Sequence, residues 1–148
     1  MKTLAVCYSR TGTTKKVAEA ILEKLDCDLE LLEFDEKTKM ITVIYDPADY
    51  DQVIILSPIW AFTLSGPMKR YLLEYHEAIK AYYLVVTCGG LGLYGCVRFC
   101  WKTMRKPPEV AVKLRARDVN KGDIQIEKVL RIASGLSSNK VYWRESDE

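Results

Sequence analysis

Three short runs of uninterrupted apolar character limit what this chain can become: Thr3 to Tyr8 with Leu4, Ala5, Val6 and Cys7 at its centre, Gln52 to Leu56, and Tyr82 to Thr87. A strand with one wet face alternates polar and apolar residues, whereas runs that do not alternate belong to strands covered on both sides, as in the middle of a parallel sheet. Between these runs the apolar period lengthens to that of a helix. Val17, Ala18, Ile21, Leu22 and Leu25 recur at helical spacing, as do Met68, Leu72 and Tyr75, and then Val97, Cys100, Trp101 and Met104, where Pro107 and Pro108 close the helix. Asp28 to Phe34 alternates leucines with acids and reads as a less buried strand near the sheet edge. Lys37 to Tyr45 reads as a short helix or an irregular crossover that Pro47 ends, Val110 to Leu114 as the last strand, and Ile124 to Ala133, ending at Gly135, as the last helix. Strand and helix in alternation, with no linker or repeat over 148 residues, predict one domain over 1–148. Its fold class is α/β: a doubly wound parallel sheet with helices on both faces.

The loop that joins the first strand to the first helix is Ser9-Arg10-Thr11-Gly12-Thr13-Thr14. Free backbone N–H groups and the positive end of the helix dipole meet at such a point, so a phosphate can be held there without a dedicated cation. Ser9, Thr11, Thr13 and Thr14 add hydroxyl donors, Gly12 lets the backbone come close, and Arg10 either adds charge or points to solvent. An ordinary capped helix start would also use Ser or Thr, but four hydroxyls around one glycine exceed what a cap requires.

With its pattern Ser/Thr-x-Thr-Gly-x-Thr directly after the first strand, the chain resembles the flavodoxin family, which holds the phosphate of flavin mononucleotide (FMN) in that loop. The resemblance continues through Asp49-Tyr50-Asp51 and the run ending Ser57-Pro58-Ile59-Trp60, and then Ser65-Gly66-Pro67 at the opening of a helix. It implies a five-stranded sheet of order 2-1-3-4-5, with the cofactor at the switch point between strands 1 and 3. The loops after strands 1, 3 and 4 then lie side by side. In the second of them, Ser57 to Thr63, Trp60 offers a wide π surface to an isoalloxazine ring, or is a tryptophan buried under a loop. Ala61 follows where many members have glycine, and Phe62 either touches the cofactor or meets a partner.

The third loop, Cys88 to Tyr94, contains Gly90-Leu91-Gly92-Leu93-Tyr94-Gly95, a literal Gly-x-Gly-x-x-Gly. As a dinucleotide fingerprint it is misplaced, following the fourth strand rather than the first, and Arg115 stands where an acid would bind a ribose. The resemblance instead implies that backbone N–H groups from Gly89 to Gly92 border the flavin and that Tyr94 flanks it. A tight turn into the helix is the structural alternative.

A net charge of +2 with 28% charged residues does not describe a nucleic-acid binder. There is no signal-peptide pattern and no apolar run long enough for a membrane span, so a cytoplasmic location is expected. Five cysteines without framework spacing suit a reducing compartment; Cys96 and Cys100 are one helical turn apart, but with a single histidine no metal site is expected. Cys7 and Arg10 stand too close together for a phosphatase loop, and His76 is far from the three loops, so no side chain is assigned as catalytic. The chemistry falls to the cofactor. The expected function is electron transfer between redox partners, with reduction of a quinone or other small acceptor by NAD(P)H as the alternative and a flavin-free interaction protein as a third. Arg98, Lys102, Arg105 and Lys106, expected on one helix face, would dock an acidic partner, hold the extra phosphate of NADPH, or merely be solvated.

Overall fold

The three apolar runs form the middle of one sheet. In the computed structural model, which describes residues 2–122 and 124–133, they are β1 (Thr3–Cys7), β5 (Gln52–Trp60) and β7 (Tyr82–Cys88). Two shorter strands flank them, β2 (Asp28–Leu31) and β8 (Ala111–Arg115), in the order β2-β1-β5-β7-β8 with every neighbouring pair parallel. Counting the five long strands, this is the 2-1-3-4-5 order that the resemblance implies.

Alternate residues of each central strand feed two separate cores. Leu4, Val6, Val53, Ile55, Leu84 and Val86 face one side, where Met68, Tyr71 and Leu72 of α2 (Gly66–Tyr75) and Leu93, Cys96, Val97 and Cys100 of α3 (Leu93–Met104) cover them. Ala5, Cys7, Ile54, Leu56, Tyr83 and Val85 face the other, under Val17, Ala18 and Ile21 of α1 (Thr13–Lys24) and Val129, Leu130 and Ala133 of α5 (Glu127–Ala133). Burying a Val, Leu or Ile side chain contributes roughly 1.5–3 kcal/mol, so the two faces together hold the sheet between its helices. A short helix, α4 (Ala116–Asn120), follows β8 directly.

Three expectations need correction. Of the two readings of Lys37 to Tyr45 the crossover holds and the helix does not: β3 (Glu33–Phe34) and β4 (Ile41–Thr42) pair antiparallel as a small separate sheet, and Pro47 begins a 3₁₀ turn, Pro47–Asp49, instead of ending an element. The buried carboxylate of Glu30 accepts the N–H groups of Ile44 and Tyr45 at 2.6 and 2.8 Å, which pins this crossover to the sheet. The third long strand does not stop at Leu56 but runs on to Trp60 and turns back into β6 (Thr63–Leu64), with Ile59 opposite Leu64 and Trp60 opposite Thr63. Only Ala61 and Phe62 lie between, with φ of 50° and 66°, the left-handed pair that a type I′ hairpin demands and that glycine or asparagine usually supplies. Finally, α3 ends at Met104, so Arg105 and Lys106 lie beyond its face. Lys106 is turned away, its ammonium donating to the carbonyls of Ile79, at 3.0 Å, and Lys80. The expected end of the last helix at Gly135 lies outside the described residues.

Candidate functional site

At the carboxyl ends of β1, β5 and β7 the chain leaves a cavity of about 170 Å³. Its wall on one side is the start of α1, through Arg10, Thr11, Thr13 and Thr14. Opposite stand Pro58, Ile59 and Trp60 at the end of β5, and Thr87, Cys88 and Gly89 at the end of β7. The three loops singled out in the sequence therefore do converge, at the point where strand order reverses.

Gly12 is the N-cap of α1 at φ 95°, a conformation closed to most side chains, and it brings no capping group of its own. Ser9 substitutes: its oxygen accepts the N–H of Gly12 at 3.1 Å and of Lys15 at 3.2 Å. A hydroxyl so used still has its proton to donate. Thr14 is buried and its hydroxyl lies 2.8 Å from that of Thr87, fastening α1 to β7 at the cavity wall. No described residue lining the cavity is acidic, and its polar side chains are four threonine hydroxyls, the Arg10 guanidinium, the Trp60 indole and the Cys88 thiol. Such a donor-rich set suits a phosphate and would repel nothing that phosphate carries.

Trp60 is held in place from two directions. The Tyr8 ring meets it edge-on, with centroids 5.6 Å apart and planes at 90°, and the Arg10 guanidinium lies 5.5 Å from its centroid. Ser57, by contrast, is fully buried, donates to the Pro58 carbonyl at 2.9 Å, and accepts the N–H of Ser65 at 3.2 Å. Its hydroxyl also lies 2.9 Å from that of Ser65. Ser57 thus ties β5 to the start of α2 and does not line the cavity.

The glycine-rich segment divides. A Cβ on Gly89 or Gly90 would meet nothing within 4 Å, and Gly89 lines the cavity. The Cys88 thiol donates to the Gly90 carbonyl at 2.9 Å. Gly92 and Gly95 serve another purpose: Cβ atoms there would lie 2.5 Å from Ile59 Cγ2 and 1.9 Å from the Phe62 carbonyl oxygen. These two glycines let α3 seat against the β5–β6 hairpin. Phe62, Leu91 and Tyr94 are exposed, and Tyr94 lines a different concavity, a groove of about 350 Å³ shared with Arg98, Trp101 and Lys102 on the outer face of α3. Thr87 and Ala116 line the cavity without having been singled out. Thr87 was findable, as a hydroxyl ending a central strand; nothing in the sequence marks Ala116.

Two thiols buried in the cores are held protonated. Burial pushes the Cys7 thiol up to about 12 and raises Cys100 as well, so neither is a thiolate near neutral pH. No cluster able to hold a metal exists among the described residues, nor is any helix of theirs long and apolar enough to cross a membrane.

The sequence matches the model of the flavodoxin domain family over residues 5–130. No curated protein matches it. Among solved structures it is similar to a flavoprotein of Lactobacillus acidophilus in complex with FMN, at 23% identity over 81% of this chain and 97% of that one, with a TM-score of 0.66. A WrbA-like flavodoxin from Agrobacterium tumefaciens shares 15% identity over 92% and 99% of the two chains, with a TM-score of 0.65. An NADH:FMN oxidoreductase in its apo form shares 18% over 94% and 92%, with a TM-score of 0.57.

Proposed function

The chain belongs to the flavodoxin family, and from that premise we propose that it binds FMN in the cavity between α1 and the ends of β5 and β7 and carries electrons between redox partners. The observation behind this reading is the convergence of an acid-free, hydroxyl-lined helix start with an aromatic side chain held by an edge-on tyrosine and a guanidinium. Ser9, Thr11, Thr13 and the first amides of α1 would hold the phosphate, with Arg10 adding charge. Trp60 would offer its π surface to the ring, and the backbone from Gly89 onward would border it. The cavity is smaller than the roughly 300–1,000 Å³ that encloses a whole ligand, which suits a site where the phosphorylated tail is buried and the ring stays near the surface. When bound, FMN supplies electron exchange in steps of one or two; the residues bind and orient it.

Two features bear on what exchanges those electrons. The outer face of α3 combines the half-exposed rings of Tyr94 and Trp101 with Arg98 and Lys102, a surface suited to an acidic protein partner. The second reading is an FMN-dependent reductase of quinones or other small acceptors using NAD(P)H, and a second cavity beside Trp60 favours it.

Titration with FMN, followed by flavin absorbance and fluorescence, tests the reading. Saturable binding is expected, with riboflavin weaker by about tenfold or more, because a single hydrogen bond to a charged group contributes roughly 1.5–3 kcal/mol. Equal affinities would leave Ser9 to Thr14 as a helix cap, and no binding of either flavin would leave a fold relative that acts through protein contacts. Steady oxidation of NAD(P)H by the loaded protein with a quinone would favour the reductase; its absence would favour the carrier.

A further inference from the structure

On the other side of Arg10 and Trp60 lies a larger cavity, about 480 Å³, between the β3–β4 hairpin and α2. Its apolar surface comes from Phe34, Trp60 and Leu73. Four cations stand around it, Arg10, Lys39, Lys69 and Arg70, against one acid, Glu36. Lys39 is paired with Glu36 at 3.6 Å and Arg70 with Glu74 at 3.6 Å, both at exposed positions where such pairs contribute little. Arg10 and Lys69 have no carboxylate partner among the described residues; each lies instead over a ring, Trp60 at 5.5 Å and Phe99 at 5.2 Å. The first turn of α2, at Gly66 and Pro67, forms part of the wall, and its N-cap side chain makes no capping bond, being turned inward to Ser57. The dipole there adds to a field that is already positive.

We propose that this cavity binds a small aromatic anion, its ring against Trp60 and Phe34 and its phosphate or carboxylate between Lys69 and Arg70. Aromatic walls select a planar apolar body, and Lys69, which has no carboxylate partner among the described residues, together with Arg70, whose exposed pair with Glu74 contributes little, selects a negative group. A neutral aromatic would forgo the charge-assisted hydrogen bonds, and a simple inorganic anion would leave the rings wet. The site is distinct from the FMN cavity but shares Arg10 and Trp60 with it, so its occupant would lie one indole away.

The test uses the full chain, with and without FMN, and two probes followed by calorimetry: adenosine monophosphate for the phosphate class and salicylate for the carboxylate class. Saturable binding of at least one is expected, tighter than that of adenosine or inorganic phosphate. Lys69→Glu with Arg70→Glu should weaken the probe tenfold or more while FMN affinity stays unchanged, and Lys69→Met, which keeps the stem over Phe99, should give a smaller loss in the same direction. Absence of saturation by both probes would overturn the proposal, as would binding indifferent to both variants or one-for-one displacement of FMN by the probe. Because the probes are titrated with and without FMN, failure here leaves the FMN reading standing, and failure of FMN to bind leaves this cavity testable by itself.

Discussion

Gly89 and Gly90 stand only three and two residues from Gly92, yet the two halves of this glycine-rich segment do opposite work. Around the first pair there is open space; around Gly92 and Gly95 there is none, because the hairpin backbone at Phe62 and the Ile59 side chain already occupy it. One stretch of sequence therefore borders a cavity and, a few residues later, closes a packing contact. A Gly-x-Gly-x-x-Gly string by itself does not tell a ligand from a backbone neighbour, since both exclude a side chain.

The sharpest way to break this contrast is to add one methyl group to each half. Gly95→Ala places Cβ against a carbonyl oxygen that belongs to a strained hairpin and cannot retreat alone, so a loss of about 2–3 kcal/mol in denaturant unfolding is expected. Gly90→Ala, with nothing within 4 Å, should stay within about 0.5 kcal/mol. Comparable losses at both positions would mean that the division is wrong.

Trp60→Ala probes the cavity side. Stacking of an aromatic base contributes roughly 1–3 kcal/mol in nucleic-acid sites, so FMN affinity should fall about tenfold and flavin fluorescence, which a nearby indole quenches, should rise in the remaining complex. Unchanged fluorescence would take Trp60 off the ring. A comparably small effect belongs to the hairpin turn against which Gly92 and Gly95 pack. Ala61 sits at φ 50°, where an L residue is strained by roughly 1–2 kcal/mol, whereas glycine costs about 0.5–1 kcal/mol in chain entropy. Ala61→Gly should therefore raise stability by about 0.5 kcal/mol, and a fall would contradict the left-handed hairpin.

What could be read from the sequence was whatever repeats along it. The runs at Leu4 to Cys7, Val53 to Leu56 and Tyr82 to Thr87 announce strands covered on both faces, and the order of elements follows from their alternation with helices. The place of Ser9 to Thr14 at a helix start was legible because the strand before it and the helix after it each carry their own period. The β3–β4 pair was not, because two residues per strand leave no period to detect. The extension of β5 was hidden by Pro58, which suggests an end but sits in the strand opposite Thr87. The purpose of Gly95 was invisible for a different reason: its neighbour is a backbone oxygen, which no residue name discloses. Tyr94 went elsewhere because α3 starts at Leu93 and turns that ring outward, toward Trp101 two helical turns on.

The seating of Gly92 and Gly95 on Ile59 and Phe62 makes the hairpin and the start of α3 one mechanical body, with Ile59 and Trp60 on its inner surface and Tyr94 and Trp101 on its outer one. A partner that grips the outer surface more tightly in one setting of that body must, by thermodynamic reciprocity, be gripped more tightly when the inner surface is held in the same setting. Were a partner to dock outside and FMN to be held inside, as proposed above, the two would share one coupling free energy, transmitted where two glycines lack a methyl group.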